Sequence, residues 1–278
     1  MKKNGGNNDI PFKFLKMCCS DIALHISNLF NSCIDFGIFP NILKTTKITP
    51  VFKKGSCLQI SNYRPIGIIC NISKIFEGLL NSRLKNYFHG NGILSSNQFG
   101  LRQGKNTELA TLNFVDRMLP ALKIKYYGIS IFLDFSACFD TVTREILIEK
   151  INKYGINGTP LEFLKSYFSN RNQYVSYKGF DSIKASQNIG VIQGSKNGPL
   201  FYDIYSNDLC NIIDENNYLF FADDTCLTFC HENFDTLVVL INKKLSDISD
   251  WCKFNKLHVN PTKSEYMIVT NRKIPYSP

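Results

Sequence analysis

The sequence predicts an α+β fold, in which helices and strands follow each other irregularly along the chain. Apolar residues recur at helical spacing in several segments, whereas short β-branched and aromatic runs indicate strands. These strands come from distant parts of the chain, which favours a sheet assembled from separate segments. The chain has 278 residues, enough for one large domain or two smaller ones. Its composition, 44% hydrophobic and 20% charged, is typical of a globular protein with a sizeable core.

The first part of the chain combines helices with two short strands. Residues 1–9 are polar and rich in Gly and Asn, so we expect a frayed end there. Ser73 is a predicted N-cap, and Pro120 is predicted to follow the end of a helix. In order, the pattern predicts one or two helices over 12–36, a strand over 48–52, a turn at 53–55, an extended piece over 62–69, and helices over 74–89 and 107–119.

The second part begins with a buried strand, Gly128–Asp134, that ends in a carboxylate. A Gly-rich loop over 190–198 precedes Pro199, which suits the start of a helix. The remaining predicted elements are helices over 143–154 and 160–168, a strand pair over 173–178 and 183–189, helices over 199–213 and 234–254, and short strands over 257–260 and 264–269.

Two apolar runs, 218–221 and 226–230, flank a short polar break that contains Asp223 and Asp224. This pattern predicts a β-hairpin with both carboxylates at its tip. An ordinary solvated turn is the alternative, because Asp is common in turns.

Asp134 ends one apolar strand, and Asp223 and Asp224 lie on the hairpin. If these strands are neighbours in one sheet, three carboxylates converge at one edge. Carboxylate oxygens suit Mg²⁺. Two such ions can stabilise the attacking and leaving oxygens of a phosphoryl transfer.

The formal net charge of +9 suggests a polyanionic partner such as a nucleic acid. The ten cysteines are scattered without CxxC spacing, and Cys226, Cys230 and His231 lack an evident fourth ligand, so no zinc is expected. We interpret the cysteines as reduced thiols of an intracellular protein. No apolar run approaches the length of a membrane span, and no membrane partner is expected.

Six ordered blocks resemble the reverse transcriptase of non-LTR (LINE-type) retrotransposons, from about Asp9 to Val269. They are Asn62-Tyr63-Arg64-Pro65-Ile66 and Gln98-Phe99-Gly100-Leu101-Arg102 for the fingers, Phe132-Leu133-Asp134-Phe135-Ser136 running to Val142 for motif A, Gly190-Val191-Ile192-Gln193-Gly194-Ser195 with Gly198-Pro199-Leu200 for motif B, Phe221-Ala222-Asp223-Asp224 for motif C, and the spacing of Trp251, Asn255, Leu257, Asn260 and Lys263 after the hairpin.

The resemblance implies a right-hand polymerase fold with fingers, palm and little or no thumb. The implied divisions are an N-terminal helical extension (1–45), fingers (46–125), palm with motif A (126–142), a fingers/palm insertion (143–190), and palm with motifs B, C and D plus the start of a thumb connection (191–278).

The implied reaction is DNA synthesis on an RNA template from a DNA primer and dNTPs. By resemblance, Asp134 and Asp223 hold two Mg²⁺ ions, or Mn²⁺, with the Phe135 carbonyl, and Asp224 is the third carboxylate. Phe139 matches the steric gate that excludes a ribose 2′-hydroxyl, and Lys263 matches a lysine proposed to protonate pyrophosphate.

Five further residues are candidates for nucleotide binding by the same resemblance. Arg64, with Lys53 or Lys54, matches residues that grip the triphosphate, a role that suits an Arg fork. Gln193 and Gly194 match residues that lie against nucleotide and template. Without the match, the alternatives are a solvated basic face for the cationic residues, a plain turn at Gln193 and Gly194, a core position for Phe139 and a simple surface charge at Lys263.

The sequence departs from the family at Ala137 and Cys138, where Lys-Ala is usual, and at Ile192, where Pro is usual. Lys196-Asn197 replaces an apolar pair. These changes keep open a catalytically inactive, retrotransposon-derived fragment that binds RNA. An intron-maturase type is a third alternative, which Phe221 and motif A disfavour. Nuclear action is implied by the family alone.

Overall fold

The computed structural model describes residues 9–100 and 102–275, so Leu101 and most of the segment 1–9 lie outside the described residues. The chain divides into two compact units. The first comprises Met1–Asn91 and Val142–Phe201, and the second comprises Gly92–Thr141 and Tyr202–Pro278.

The first unit contains helices packed with a sheet. The elements of this unit are α1 (Phe12–Met17), α2 (Cys19–Asp35), β1 (Thr45–Phe52), β2 (Tyr63–Ile68), α3 (Asn71–Gly90), α6 (Arg144–Lys153), α7 (Gly158–Phe168), β4 (Asn172–Tyr177), β5 (Phe180–Asp181) and β6 (Ala185–Ser186). The strand order is β2-β1-β4-β5, and β6 also pairs with β4. Strand β1 is antiparallel to β2 and parallel to β4.

An aromatic cluster forms much of the core of this unit. The Phe39 ring lies 5.5 Å from Phe76, 5.9 Å from Phe163 and 5.0 Å from Tyr167, each edge to face, and all four side chains are buried. Edge-to-face contacts of this kind add to the free energy gained from burying apolar area.

The second unit contains a four-stranded sheet. The elements of this unit are α4 (Thr107–Lys123), β3 (Tyr127–Leu133), α5 (Cys138–Thr141), β7 (Tyr218–Phe221), β8 (Asp224–His231), α9 (Phe234–Phe254) and β9 (Glu265–Val269). The strand order is β7-β8-β3-β9, and every pairing in this sheet is antiparallel. Helix α8 (Gly198–Ser206) spans the sequence boundary between the units.

Two predicted helix ends are wrong. Helix α3 begins before Ser73, because the Cys70 thiol caps it by accepting the Ser73 N–H and Asp9 accepts the N–H of Asn71. Helix α4 continues through Pro120 to Lys123. Its last turn packs closely on Gly128, since a Cβ there would lie 3.3 Å from the Cβ of Ala121, and this packing outweighs the missing proline N–H.

Three other predictions need correction. Of the strand predicted over 183–189, only β6 (Ala185–Ser186) forms, because the chain turns back after β4 through the short β5 (Phe180–Asp181). The segment 257–260 forms only a single bridge, between Phe135 and Val259. The helix predicted from Pro199 to about 213 ends at Ser206 and continues as a 3₁₀ helix, Asn207–Ile212. The mixed helix and strand architecture itself is confirmed.

Candidate active site

The second unit brings three carboxylates to one edge of its sheet. Strand β3 pairs with β8 from Tyr127↔His231 to Leu133↔Thr225. Asp134 directly follows β3, and Asp224 opens β8. Since the last pair is Leu133↔Thr225, the register sets Asp134 beside Asp224. Asp223 stands at the turn between β7 and β8. The hairpin predicted from the apolar runs is therefore present, with Asp224 in its returning strand.

The proximity of these carboxylates affects their protonation. Burial, followed by the like charges of Asp223 and Asp134, raises the pKa of the Asp224 carboxyl. Lys263 compensates part of this charge, because its Nζ lies 3.6 Å from Asp134 Oδ2. Asp134 Oδ2 is buried and has no hydrogen-bond partner. This edge of the sheet therefore carries negative charge that a cation can neutralise.

The tip of the hairpin is held by Gln98, 124 residues earlier in the chain. Gln98 Oε1 accepts the N–H of Ala222 at 3.0 Å, and Gln98 Nε2 donates to the carbonyl of Ala222 at 3.3 Å. Ala222 has a φ of +56°, a left-handed conformation that L-residues adopt at a cost. Gln98 thus fixes a strained turn immediately before Asp223. The sequence indicated Gln98 only as part of a fingers motif, because no local pattern reveals so distant a contact.

Gly100 allows this segment to approach the hairpin closely. A Cβ at Gly100 would lie 2.1 Å from the backbone nitrogen of Ala222 and 2.8 Å from the carbonyl carbon of Phe221. Both neighbours are backbone atoms, so they move only if the hairpin itself moves.

We expect Gly100→Ala to lower the free energy of unfolding by about 3 kcal/mol, at the upper end of the range for overpacked positions. Denaturant unfolding of the purified chain measures this change. Gly90→Ala is the control, because nothing lies within 4 Å of a Cβ at Gly90. Equal stabilities of the two variants would show that the close approach to the hairpin does not require glycine at position 100.

Cys138 contacts one of the three carboxylates. Its buried Sγ donates to Asp223 Oδ2 over 3.4 Å. Burial and the adjacent charge of Asp223 raise the pKa of this thiol, so it remains protonated and able to donate. The sequence marked Cys138 only as a departure from the family pattern, and its contact with Asp223 was not predicted.

Phe139 and Phe135 lie beside the carboxylates in the chain. The Phe139 ring is partly buried, 5.1 Å from the ring of the buried Tyr202. Phe135 is buried, and its backbone is aligned by the bridge to Val259. The ring of Phe139 therefore has a packing partner on helix α8, which limits its movement.

The donor set fits a divalent cation in its chemistry. It offers carboxylate oxygens in a charge-repelling cluster, and one of these oxygens is buried without a hydrogen bond. Across residues 9–100 and 102–275, however, no three His, Cys, Asp or Glu side chains are already arranged to hold a metal ion. One oxygen of Asp223 instead accepts a hydrogen bond from Cys138.

The other predicted site residues lie in the first unit. Lys53, Lys54 and Arg64 are exposed on the β1–β2 hairpin. Gln193 and Gly194 lie on the loop before α8, where the Gln193 carbonyl accepts the Gly67 N–H at 2.7 Å. Gly194 has a φ of +104°, which only glycine adopts readily. The structure therefore groups the carboxylates, Phe139 and Lys263 in one unit and these five residues in the other.

Two general features bear on possible ligands. All ten cysteines are free thiols. Within the described part of the chain, no helix is long and apolar enough to cross a membrane.

Comparison with known proteins gives a family for this chain. The family model described as reverse transcriptase (RNA-dependent DNA polymerase) matches residues 51–276. The chain is 30% identical to the probable RNA-directed DNA polymerase from transposon BS of Drosophila melanogaster, a match that covers 95% of the chain and 30% of that protein. It is 26% identical to the RNA-directed DNA polymerase from mobile element jockey of the same species, over 98% of the chain and 30% of that protein.

The chain thus spans 30% of the length of these curated relatives. Among solved structures, it resembles apo telomerase from Candida tropicalis truncated from its C-terminal domain, with a TM-score of 0.56 and 17% identity over 84% of the chain and 51% of that protein. This structural likeness supports the right-hand polymerase fold. Together with the family model and the transposon relatives, it leads to one conclusion: the chain belongs to the reverse transcriptase family, as a reverse transcriptase domain of the non-LTR retrotransposon type.

Proposed function

We propose that this chain is a working RNA-directed DNA polymerase that performs nucleotidyl transfer at Asp134, Asp223 and Asp224. The main support is the convergence of these carboxylates at one edge of the β7-β8-β3-β9 sheet. Three repelling carboxylates are costly to keep together, and cations bound among them would offset this cost.

Asp134 and Asp223 would hold two Mg²⁺ ions, or Mn²⁺, assisted by the Phe135 carbonyl and Asp224. Bound there, the ions supply charge stabilisation for the attacking primer hydroxyl and the leaving pyrophosphate. The single hydrogen bond from Cys138 leaves Asp223 with lone pairs that can bind a cation. Lys263, now paired with Asp134, carries an ammonium group that can give a proton to pyrophosphate.

The remaining roles concern substrate binding. Arg64 with Lys53 or Lys54 would bind the triphosphate, since all three side chains are exposed and cationic. Gln193 and Gly194 would contact nucleotide and template, and the buried Gln193 Oε1 has no hydrogen-bond partner in the described structure. The substrates would be an RNA template, a DNA primer and dNTPs. The residue boundaries of the fingers and the palm remain predictions.

Addition of a single nucleotide to a primer annealed to RNA tests this proposal, because one addition does not require processive synthesis. We expect incorporation with Mg²⁺ and dNTP and none after chelation with EDTA. Absence of incorporation, while the primed RNA still binds, would contradict the proposal.

A second candidate function is RNA binding without synthesis. The finding that favours it is the bond of Cys138 to Asp223, with no preformed metal-ligand set among the described residues. The net charge of +9 suits a phosphate backbone. RNA affinity that falls steeply with salt, without Mg²⁺-dependent incorporation, would identify this function.

A further inference from the structure

The loop that carries Gln193 and Gly194 is hydrogen-bonded to other segments of the first unit at about every third residue. Gly190 donates its N–H to the Val142 carbonyl at 2.9 Å, and its own carbonyl accepts from Arg144 Nε at 2.9 Å. The Gln193 carbonyl accepts the Gly67 N–H. The third attachment, at Lys196, is made by side chains of helix α3.

Helix α3 holds both polar groups of the Lys196 backbone. Glu77 Oε2 accepts the Lys196 N–H at 3.1 Å, and Asn81 Nδ2 donates to the Lys196 carbonyl at 3.0 Å. Glu77 and Asn81 are four residues apart, so they lie on one face of the helix. Between them, Gly78 leaves room for the Lys196 side chain, whose Nζ would lie 3.3 Å from a Cβ there.

Glutamate is an unusual residue for a buried position whose only role is packing. The Glu77 side chain is fully buried. Burial raises the pKa of its carboxyl, although bonds from Tyr167 and Lys196 and the charge of Arg171 act in the opposite direction. Tyr167 donates to Glu77 Oε1 at 2.5 Å, so one oxygen is fixed by the core and the other holds the loop. An apolar side chain would fill this space at lower cost but could not bind a loop N–H.

We propose that Glu77 and Asn81 are positioning residues that fix the conformation of the Gln193–Gly194 loop for its substrate. The inference rests on the proposed polymerase function, because it gives the loop a substrate to position. It also accounts for how Lys196, a departure from the family pattern, is accommodated. The loop is held through its backbone N–H and carbonyl, which every residue except proline supplies.

Limited digestion with trypsin tests the attachment directly, because trypsin cleaves after Lys196 when the loop opens. Loss of one hydrogen bond in Asn81→Ala is expected to speed cleavage after Lys196 about fivefold. Glu77→Met, which removes the acceptor of the Lys196 N–H, is expected to do the same. Asn86→Ala, an identical substitution at an exposed position of α3, is the matched control and should leave cleavage unchanged. Asn81→Gln keeps the amide donor and should restore protection.

Single-nucleotide incorporation then tests the positioning role. We expect Asn81→Ala to raise the KM for dNTP about fivefold and to change kcat less, with Asn86→Ala unaffected. Unchanged cleavage in both Asn81→Ala and Glu77→Met would overturn the attachment. Faster cleavage with unchanged KM and kcat would overturn the positioning role. If the wild-type chain does not incorporate nucleotides, the proposed function fails, whereas faster cleavage still supports the attachment.

Discussion

Replacing Asp223 by Asn is expected to reduce nucleotide incorporation on primed RNA by at least about 10³-fold, equivalent to about 4 kcal/mol of transition-state stabilisation. The substitution preserves the shape of the side chain but removes the charge that would hold the cations. Since Asp223 contributes to the repulsion that raises the pKa of Asp224, the variant should be at least as stable as the wild type.

Incorporation kinetics and thermal unfolding measure these two effects, and a filter-binding assay follows RNA affinity, which should not fall. Asp116→Asn, at an exposed position of α4, controls for the loss of one negative charge. Incorporation retained by Asp223→Asn would refute the assignment of this carboxylate to the metal site.

Replacing Phe139 by Val is expected to weaken discrimination between dNTPs and rNTPs by about 10- to 100-fold, the range typical of changes in an apolar pocket. The aromatic ring would crowd a ribose 2′-hydroxyl, and the nearby Tyr202 ring limits its movement away. Valine lacks the volume to fill the same space.

The ratio of kcat/KM for dNTP to that for the matching rNTP measures this effect. Phe254→Val provides the same substitution at a side chain that is 76% exposed on α9. A ratio unchanged by Phe139→Val would assign the ring to packing alone, the alternative that the sequence left open.

Segments with strong local patterns were predictable. Helix α9 occupies the predicted 234–254, and the hairpin around Asp223 lies between the two predicted apolar runs. Both depend on periodic burial within one segment, which the order of residues encodes directly. The end of α4 was not predictable in this way, because its packing against Gly128 outweighs the local effect of Pro120.

By itself, the sequence determined the family and the identity of the three carboxylates, because ordered motifs and short apolar runs are properties of the linear chain. The tertiary structure decided which distant groups meet. Three hydrogen-bonded contacts join residues that lie 85 to 124 positions apart in the chain. They link Gln98 to Ala222, Cys138 to Asp223, and Glu77 to Lys196. Such contacts depend on strand register and close packing, and no local pattern records them.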